Sequence, residues 1–202
     1  DITGAHISNV MHYCCLQALD QNTQIITKDI LLRALKREYK KEEKMFLEED
    51  GILMRIGVVR EDGSPLVTPI WFLYEDSCIY FTPRAKSEWF GCLKRDSRVS
   101  LCIDEQTLPY RKIVVEGSAE LLYDLGDDDT WRDLYRQIAK RYGPEEMAEA
   151  YVQNTIDQER ALFCVRTKES KVRTWRMPLT GEPPSGIWHD RYYAPGTKFS
   201  KT

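Results

Sequence analysis

The middle of the chain alternates apolar and polar residues in short runs separated by turn residues, which is the pattern of antiparallel β-strands. Residues 61–64 form one such turn signal and residues 75–77 form another. We predict five strands from this pattern, over residues 52–60, 66–74, 78–82, 99–104 and 112–123. Pro69 lies inside the second of them and indicates an edge or a bulge, because proline cannot donate a hydrogen bond to a neighbouring strand. Gly117 inside the fifth indicates a sharp bend.

Apolar residues recur at helical spacing in other parts of the chain. These patterns predict helices over residues 28–49, 87–93, 131–142 and 145–155, and a last strand over 161–167. Residues 1–26 have no clean period. A meander of strands with helices inserted late predicts a mainly β fold with helical additions (α+β), in the form of a small barrel.

Composition narrows the function classes. The net charge is −3 and no long block of Lys and Arg occurs, which argues against a general nucleic-acid surface but leaves room for a site that binds one phosphate group. No run approaches the roughly 18 apolar residues of a membrane span, and no secretory signal pattern is present. The six cysteines are scattered without a Cys-x-x-Cys pair, so we expect core thiols, a reducing, cytoplasmic location and no metal site.

Cationic and hydroxyl side chains cluster where the third predicted strand ends and the next helix begins. The cluster consists of Thr82, Arg84, Lys86 and Ser87. Two cations, two hydroxyls and the free N–H groups of a helix start together suit a dianionic phosphate. A solvated charged turn, with Ser87 as the helix cap, is the alternative that spacing alone leaves open.

The second predicted strand carries an unusual sequence, Val67-Thr68-Pro69-Ile70-Trp71-Phe72. A proline followed by two large aromatic residues would let main-chain groups face a planar ring, while core packing by Trp71 and Phe72 is the alternative. No Gly-x-Ser-x-Gly elbow and no P-loop occur in the sequence, so nothing supports acyl or phosphoryl transfer.

Taken in order, these segments resemble the pyridoxamine 5'-phosphate oxidase-like family of FMN-binding split barrels. The similar segments are residues 56–59, 62–65 and 67–72 of the opening hairpin, 79–82, Ser87 and 93–101 of the middle helix and its flanking strands, and 114–120 of the next strand. The likeness covers residues 45–123 and continues more weakly to about residue 167.

The resemblance implies a split β-barrel of the FMN-binding type and a homodimer with two flavin sites at the subunit interface. It implies that a strand lines the isoalloxazine ring through main-chain groups and that hydroxyl and basic residues hold the phosphate. The implied cofactor-binding residues are Val67, Thr68, Pro69, Ile70, Trp71, Thr82, Arg84, Lys86, Ser87 and Trp89. Many relatives carry a cation and an Asn late in the middle helix, where this chain has Trp89 and Cys92, so a deazaflavin coenzyme stays open as the alternative to FMN.

Further candidates under this resemblance are Arg111, Lys112, Trp175, His189 and Arg191. Arg111 and Lys112 would face the N1–O2 edge of the flavin, with plain surface exposure as the alternative. The segment Trp188-His189-Asp190-Arg191 is similar to the His-Asp-Arg end of true pyridoxamine phosphate oxidases. Those enzymes place an arginine two positions before the histidine, where this chain has Ile187, so vitamin B6 oxidation is not predicted.

The function that the resemblance implies is an FMN-dependent oxidoreductase acting on a small-molecule substrate, with the flavin carrying the chemistry. A deazaflavin-dependent reductase and a non-catalytic flavin- or tetrapyrrole-binding protein remain alternatives, and no catalytic residue is predicted. We expect an N-terminal extension with a lead-in helix over 1–44, a split-barrel flavin-binding domain with inserted helices over 45–170, and a C-terminal tail over 171–202.

Overall fold

Two antiparallel sheets and five α-helices make up the described part of the chain, residues 4–177 of a computed structural model. The helices are α1 (Gly4–Asp20), α2 (Lys28–Glu48), α3 (Glu88–Arg95), α4 (Arg132–Lys140) and α5 (Glu145–Asn154). The strands are β1 (Met54–Val59), β2 (Pro65–Ile70), β3 (Leu73–Glu75), β4 (Cys78–Phe81), β5 (Arg98–Asp104), β6 (Lys112–Ser118), β7 (Glu120–Tyr123), β8 (Leu162–Arg166) and β9 (Lys171–Trp175). Short 3-10 turns cover Asp128–Thr130 and Thr167–Glu169.

The chain divides into two compact units, of which the first covers the described residues 4–47. It contains α1 and most of α2. The buried residues Val10, Cys14, Ile30 and Ala34 form its small core. α2 begins with a cap, since the Ile30 N–H donates to the Thr27 hydroxyl oxygen at 3.3 Å. Sequence analysis does not predict α1, because this helix has almost no charged residues and no clean polar face.

The second unit covers residues 48–177 and holds both sheets. The five-stranded sheet has the order β2-β1-β5-β6-β9, and the four-stranded sheet has the order β3-β4-β8-β7. The sheets do not close into a complete barrel, and the fold is the predicted split barrel of α+β class. Alternate residues of β1, β5 and β6 are buried, so each of these strands turns one apolar face to the core.

Two predicted strands are each divided between the sheets. The segment 66–74 becomes β2 and β3, and the segment 112–123 becomes β6 and β7. At the first break the main chain of Phe72 bonds to side chains, because its N–H donates to the Tyr142 hydroxyl at 3.1 Å and its carbonyl accepts from Arg141 Nη1 at 2.7 Å. These bonds replace the ladder bonds that a continuous strand would make.

The strand β9 lies in the segment that sequence analysis assigns to the tail. It pairs with β6 along its whole length, from Lys112 opposite Trp175 to Glu116 opposite Lys171. The β-branched residues Val172 and Thr174 were the available sequence signal for a strand. β9 brings Trp175 into the five-stranded sheet.

Candidate functional site

The loop between β4 and α3 carries the predicted phosphate-binding residues. The Ser87 N–H donates to the Arg84 carbonyl at 2.9 Å, and the Phe90 N–H donates to the Ser87 carbonyl at 3.0 Å. Ser87 therefore takes the N-cap position of α3, yet its hydroxyl makes no capping bond. A helix start whose side chain leaves the first N–H groups uncapped retains donors for an anion.

Lys86 and Ser87 stand at this helix start with different exposure. The Lys86 side chain is exposed, while Ser87 and Thr82 are half-buried. Lys86, Ser87 and the uncapped N–H groups are next to one another in the chain at this helix start, and they are donors of the kind that bind phosphate oxygens. Thr82 directly follows β4, four residues before Lys86.

Arg60 connects this helix start to β2 and was not found from the sequence. Its Nε donates to the Glu88 carboxylate at 2.6 Å, and its Nη1 donates to the Pro65 carbonyl at 2.9 Å. Glu88 is the first residue of α3 and Pro65 is the first residue of β2. One arginine side chain thus spans the distance between the two segments that sequence analysis assigns to the phosphate and the ring.

Arg84 points to a different set of side chains. Its Nη2 donates to the Tyr151 hydroxyl oxygen of α5 at 2.6 Å. Arg84 also lies opposite Arg160 in an isolated antiparallel bridge. The structure therefore brings Arg84 together with residues of α5 and of the segment before β8.

β2 is the terminal strand of the five-stranded sheet, and among residues 4–177 no strand pairs with its outer side, called here its open edge. The Arg60 N–H donates to the Ser64 carbonyl at 2.8 Å, which makes Arg60 and Ser64 a hydrogen-bonded pair at the end of the β1–β2 hairpin. Because such pairs alternate along an antiparallel ladder, the N–H and C=O positions of Pro65, Val67 and Pro69 face away from β1. Val67 is 63% exposed, and Thr68 and Ile70 are half-buried.

The two predicted ring-binding tryptophans lie in aromatic contacts. Trp71 follows β2 and stacks on Tyr142, with ring centroids 5.0 Å apart and planes 4° apart. It also contacts Tyr151 at 4.9 Å between centroids. Trp89 of α3 is half-buried, with its ring 6.0 Å from that of Phe81. These contacts support core packing as a role of Trp71.

The comparison with known protein families matches this chain to one model. The family described as "Pyridoxamine 5'-phosphate oxidase" matches residues 39–174. The chain belongs to the pyridoxamine 5'-phosphate oxidase family. The resemblance inferred from the sequence is confirmed, and the matched segment runs from α2 to β9.

Solved structures share the fold of this pyridoxamine 5'-phosphate oxidase family member. One is the conserved hypothetical protein Rv2991 from Mycobacterium tuberculosis, which is 20% identical with a TM-score of 0.55, over 78% of this chain and 94% of that one. Another is HutZ, the heme storage protein from Vibrio cholerae, which is 17% identical with a TM-score of 0.52, over 68% of this chain and 96% of that one. No curated protein matches the chain.

The remaining candidates of this family member lie directly before or on β6, on β9, or beyond the described residues. Arg111 donates to Glu49 at 2.7 and 2.8 Å and to Glu105 at 2.7 and 3.0 Å. The hydrogen bonds to Glu105 and then to Glu49 hold the pKa of the Arg111 guanidinium above its ordinary value. The Lys112 ammonium lies 4.8 Å above the centre of the Trp175 ring. His189 and Arg191 fall outside the described residues.

Two further features of this pyridoxamine 5'-phosphate oxidase family member concern metals and membranes. Among residues 4–177, no group of three or more His, Cys, Asp or Glu side chains is placed to hold a metal ion. In the same part of the chain, no helix has both the length and the apolar character needed to cross a bilayer. The six cysteines Cys14, Cys15, Cys78, Cys92, Cys102 and Cys164 are all free thiols.

Sequence reasoning missed Arg60, Tyr151 and Arg160. Arg60 directly follows β1 at the turn of the first hairpin, and Arg160 precedes β8. Both arginines therefore lie at strand ends, where a charged side chain is expected to be solvated. The cross-strand position of Arg160 opposite Arg84 depends on the pairing of β4 with β8, which are separated in the chain by three α-helices and three strands. No local pattern indicates such a pairing.

Proposed function

We propose that this protein binds FMN and acts as a flavin-dependent oxidoreductase on a small substrate. The observation that carries the proposal is the start of α3, where exposed Lys86 stands beside Ser87, whose hydroxyl makes no capping bond. Membership of the pyridoxamine 5'-phosphate oxidase family over residues 39–174 supports the same reading. When bound, the flavin supplies the hydride- and electron-transfer chemistry.

In this proposal the phosphate is held by Lys86, Ser87 and Thr82, with the N–H groups of the first turn of α3 as further donors. Arg84 donates from Nη2 to the Tyr151 hydroxyl oxygen, so the phosphate set proposed here does not include it. Arg60 neutralises the Glu88 carboxylate, which otherwise would repel a phosphate from the helix start. These residues bind and orient the cofactor.

The flavin ring is proposed to lie against the open edge of β2. Val67 presents an N–H there, and the carbonyls of Val67 and Pro69 face the same way. Thr68, Ile70 and Trp71 complete the proposed ring-binding segment, and Trp89 on α3 is proposed to flank it. A planar ring at this edge would cover the exposed Val67 side chain and exclude water from one of its own sides.

We infer that the working unit is a homodimer in the cytoplasm. The open edge of β2 and its exposed Val67 side chain are surfaces that a second copy would cover, and the six free thiols suit a reducing compartment. Light scattering at micromolar concentration is expected to give twice the 23.6 kDa mass of the chain. A mass equal to one chain would contradict the dimer.

The test of the cofactor is a titration of Lys86→Ala with FMN and with riboflavin, which lacks the phosphate. Loss of one charge-assisted contact is expected to weaken FMN binding by about tenfold, since such a contact contributes roughly 1.5 kcal/mol. Riboflavin binding should stay within about twofold of the original, because riboflavin has no phosphate for Lys86 to contact. Quenching of flavin fluorescence measures both constants.

Lys168→Ala is the matched control, because Lys168 is an exposed lysine on the turn before β9. It should leave the affinity for both flavins unchanged. Equal weakening of FMN and riboflavin by Lys86→Ala would place the phosphate elsewhere. Protein that fails to quench FMN fluorescence at all would remove the proposal, and a Soret band in the purified protein would favour a tetrapyrrole. A deazaflavin coenzyme that binds more tightly than FMN would favour the deazaflavin-dependent alternative.

A further inference from the structure

Two arginines face each other at the end of the β4–β8 ladder. The Ala161 N–H donates to the Pro83 carbonyl at 3.1 Å and the Ala85 N–H donates to the Glu159 carbonyl at 2.9 Å, so the pairing continues beyond β4. Arg84 and Arg160 stand opposite each other between these bonds, at a non-hydrogen-bonded position. Side chains at such a position share a face and lie closest together, and like charges there destabilise the pair.

Neither guanidinium is balanced by an ion pair within residues 4–177. Arg84 donates to the Tyr151 hydroxyl oxygen at 2.6 Å, and Arg160 donates from Nη2 to the Thr155 hydroxyl oxygen at 3.3 Å. The Arg160 guanidinium also lies 4.4 Å above the centre of the Tyr135 ring. All of these partners are neutral. Arg160 is nevertheless only 4% exposed, which makes its lack of a carboxylate partner costly.

Three donors in the same region are buried without a hydrogen-bond partner. They are Arg160 Nε, the Tyr135 hydroxyl and the Trp131 indole Nε1. The Tyr135 hydroxyl lies beside those of Tyr151 and Thr155 but forms no hydrogen bond of acceptable geometry with either. Buried polar groups in native proteins are nearly always satisfied, and two of these donors, Arg160 Nε and the Tyr135 hydroxyl, belong to side chains in contact with each other, which indicates a missing acceptor beside them.

The charge of the region sets the charge of that acceptor. The Asp128 carboxylate is buried nearby and accepts the main-chain N–H of Arg160 at 2.9 Å. Two guanidinium groups and one carboxylate leave one positive charge. Burial acts to raise the pKa of the Tyr151 phenol, but the Tyr135 hydroxyl and the charges of Arg160 and Arg84 outweigh it and lower the pKa. The local potential is therefore positive and suits a monoanion.

We propose that Arg84, Arg160, Tyr135 and Trp131 form an internal site for the carboxylate group of a small organic molecule. A carboxylate carries the single negative charge that the region lacks, and its two oxygens accept several hydrogen bonds at once. The rings of Trp131 and Tyr135 pack edge to face at 6.3 Å between centroids, so an apolar group of the molecule would lie beside aromatic side chains.

This site lies on a different face of the four-stranded sheet from α3. Tyr80 and Leu162 belong to the apolar cluster with Trp131 and Tyr135, and strand alternation puts Arg84 and Arg160 on that face. Phe81 and Phe163 point the other way, where they contact the rings of Trp89 and Phe90 of α3. The proposal thus goes beyond the proposed flavin binding and does not depend on it.

The test is a calorimetric titration of the full, flavin-free chain with sodium acetate and sodium benzoate, at an ionic strength held constant with sodium chloride. Binding of either carboxylate at one site per chain is expected. Arg160→Gln should weaken it at least tenfold, because the variant removes the buried charge, and Tyr135→Phe should weaken it by about fivefold through loss of one hydroxyl donor.

Two control variants separate this site from the surface and from the flavin site. Arg98→Gln alters an arginine whose side chain is 79% exposed and should leave carboxylate binding unchanged. Lys86→Ala should weaken FMN but not benzoate, so the two proposals fail independently. If Arg160→Gln does not fold, as judged by circular dichroism, Tyr135→Phe decides, since it keeps the ring under Arg160.

Several results would overturn the proposal. The first is that neither carboxylate gives any heat of binding. The second is that added chloride abolishes carboxylate binding equally in the original chain and in Tyr135→Phe. The third is that inorganic phosphate binds while acetate and benzoate do not. The last result would assign the site to a dianion.

Discussion

Replacing Arg141 with methionine is expected to lower the free energy of unfolding by about 3 kcal/mol. Arg141 lies just after α4 with its side chain buried, and it donates to two main-chain carbonyls, those of Phe72 at 2.7 Å and Glu49 at 2.6 Å. Methionine preserves much of the volume but leaves both carbonyls without this donor. Burial lowers the pKa of Arg141 because it disfavours the charged guanidinium. The hydrogen bonds to the two carbonyls offset this cost.

Urea and thermal unfolding of the full chain measure this effect. For a chain of this size, a loss of about 3 kcal/mol corresponds to a fall of about 6–12 °C in Tm. Arg136→Met is the matched control, because Arg136 belongs to α4, the helix that Arg141 directly follows, and forms its ion pairs with Asp133 and Glu149 at the surface. That control should cost at most about 1 kcal/mol. Equal losses from the two variants would contradict the role assigned to Arg141.

Gly117→Ala is the second substitution expected to have a large effect, with a loss of about 2 kcal/mol in the free energy of unfolding. A Cβ atom at position 117 would lie 2.3 Å from the Ser170 hydroxyl oxygen and 3.0 Å from Ser170 Cβ. It would also meet Val165 at 3.6 Å, which is ordinary contact. The clash is therefore with one side chain, and β6 cannot accept a larger residue here unless Ser170 moves.

A double variant tests this explanation directly. Ser170→Gly removes both clashing atoms, so Gly117→Ala should cost less than about 0.5 kcal/mol when introduced into Ser170→Gly protein. Ser170→Gly alone loses the exposed hydrogen bond from its hydroxyl to the Arg166 carbonyl, and it serves as the reference for the double variant. A cost of about 2 kcal/mol in both backgrounds would mean that the strand, not Ser170, requires glycine.

β1, β5 and β6 could be located from the sequence because each of them buries alternate residues, and burial of one face imposes a period of two on the sequence. β9, which has no buried residue, was not predicted as a strand. The positions where β2 gives way to β3, and β6 to β7, could not be located in the same way. The first break is held by Arg141 and Tyr142, which are far from Phe72 along the chain. Long-range side-chain bonds to the main chain leave no local pattern.

In the candidate site, too, residues that are close in sequence could be predicted and residues that meet through long-range pairing could not. The cluster from Thr82 to Ser87 could be found because its cations and hydroxyls are close in sequence and stand at a helix start. Arg160 could not, because it meets Arg84 through the pairing of strands that are distant in the chain. The binding of a flavin by the cluster from Thr82 to Ser87 stays a prediction, which the titrations with FMN and riboflavin test.

The open edge of β2 has a consequence for self-association. Proline has no N–H, and Pro65 and Pro69 occupy two of the three outward positions of this strand, with Val67 between them. An incoming strand from another molecule would therefore find a single main-chain donor along β2, which disfavours continuation of the ladder at this edge. The β2 edge is thereby protected from end-on strand addition, while β9 forms the other edge of the same sheet in the described part of the chain.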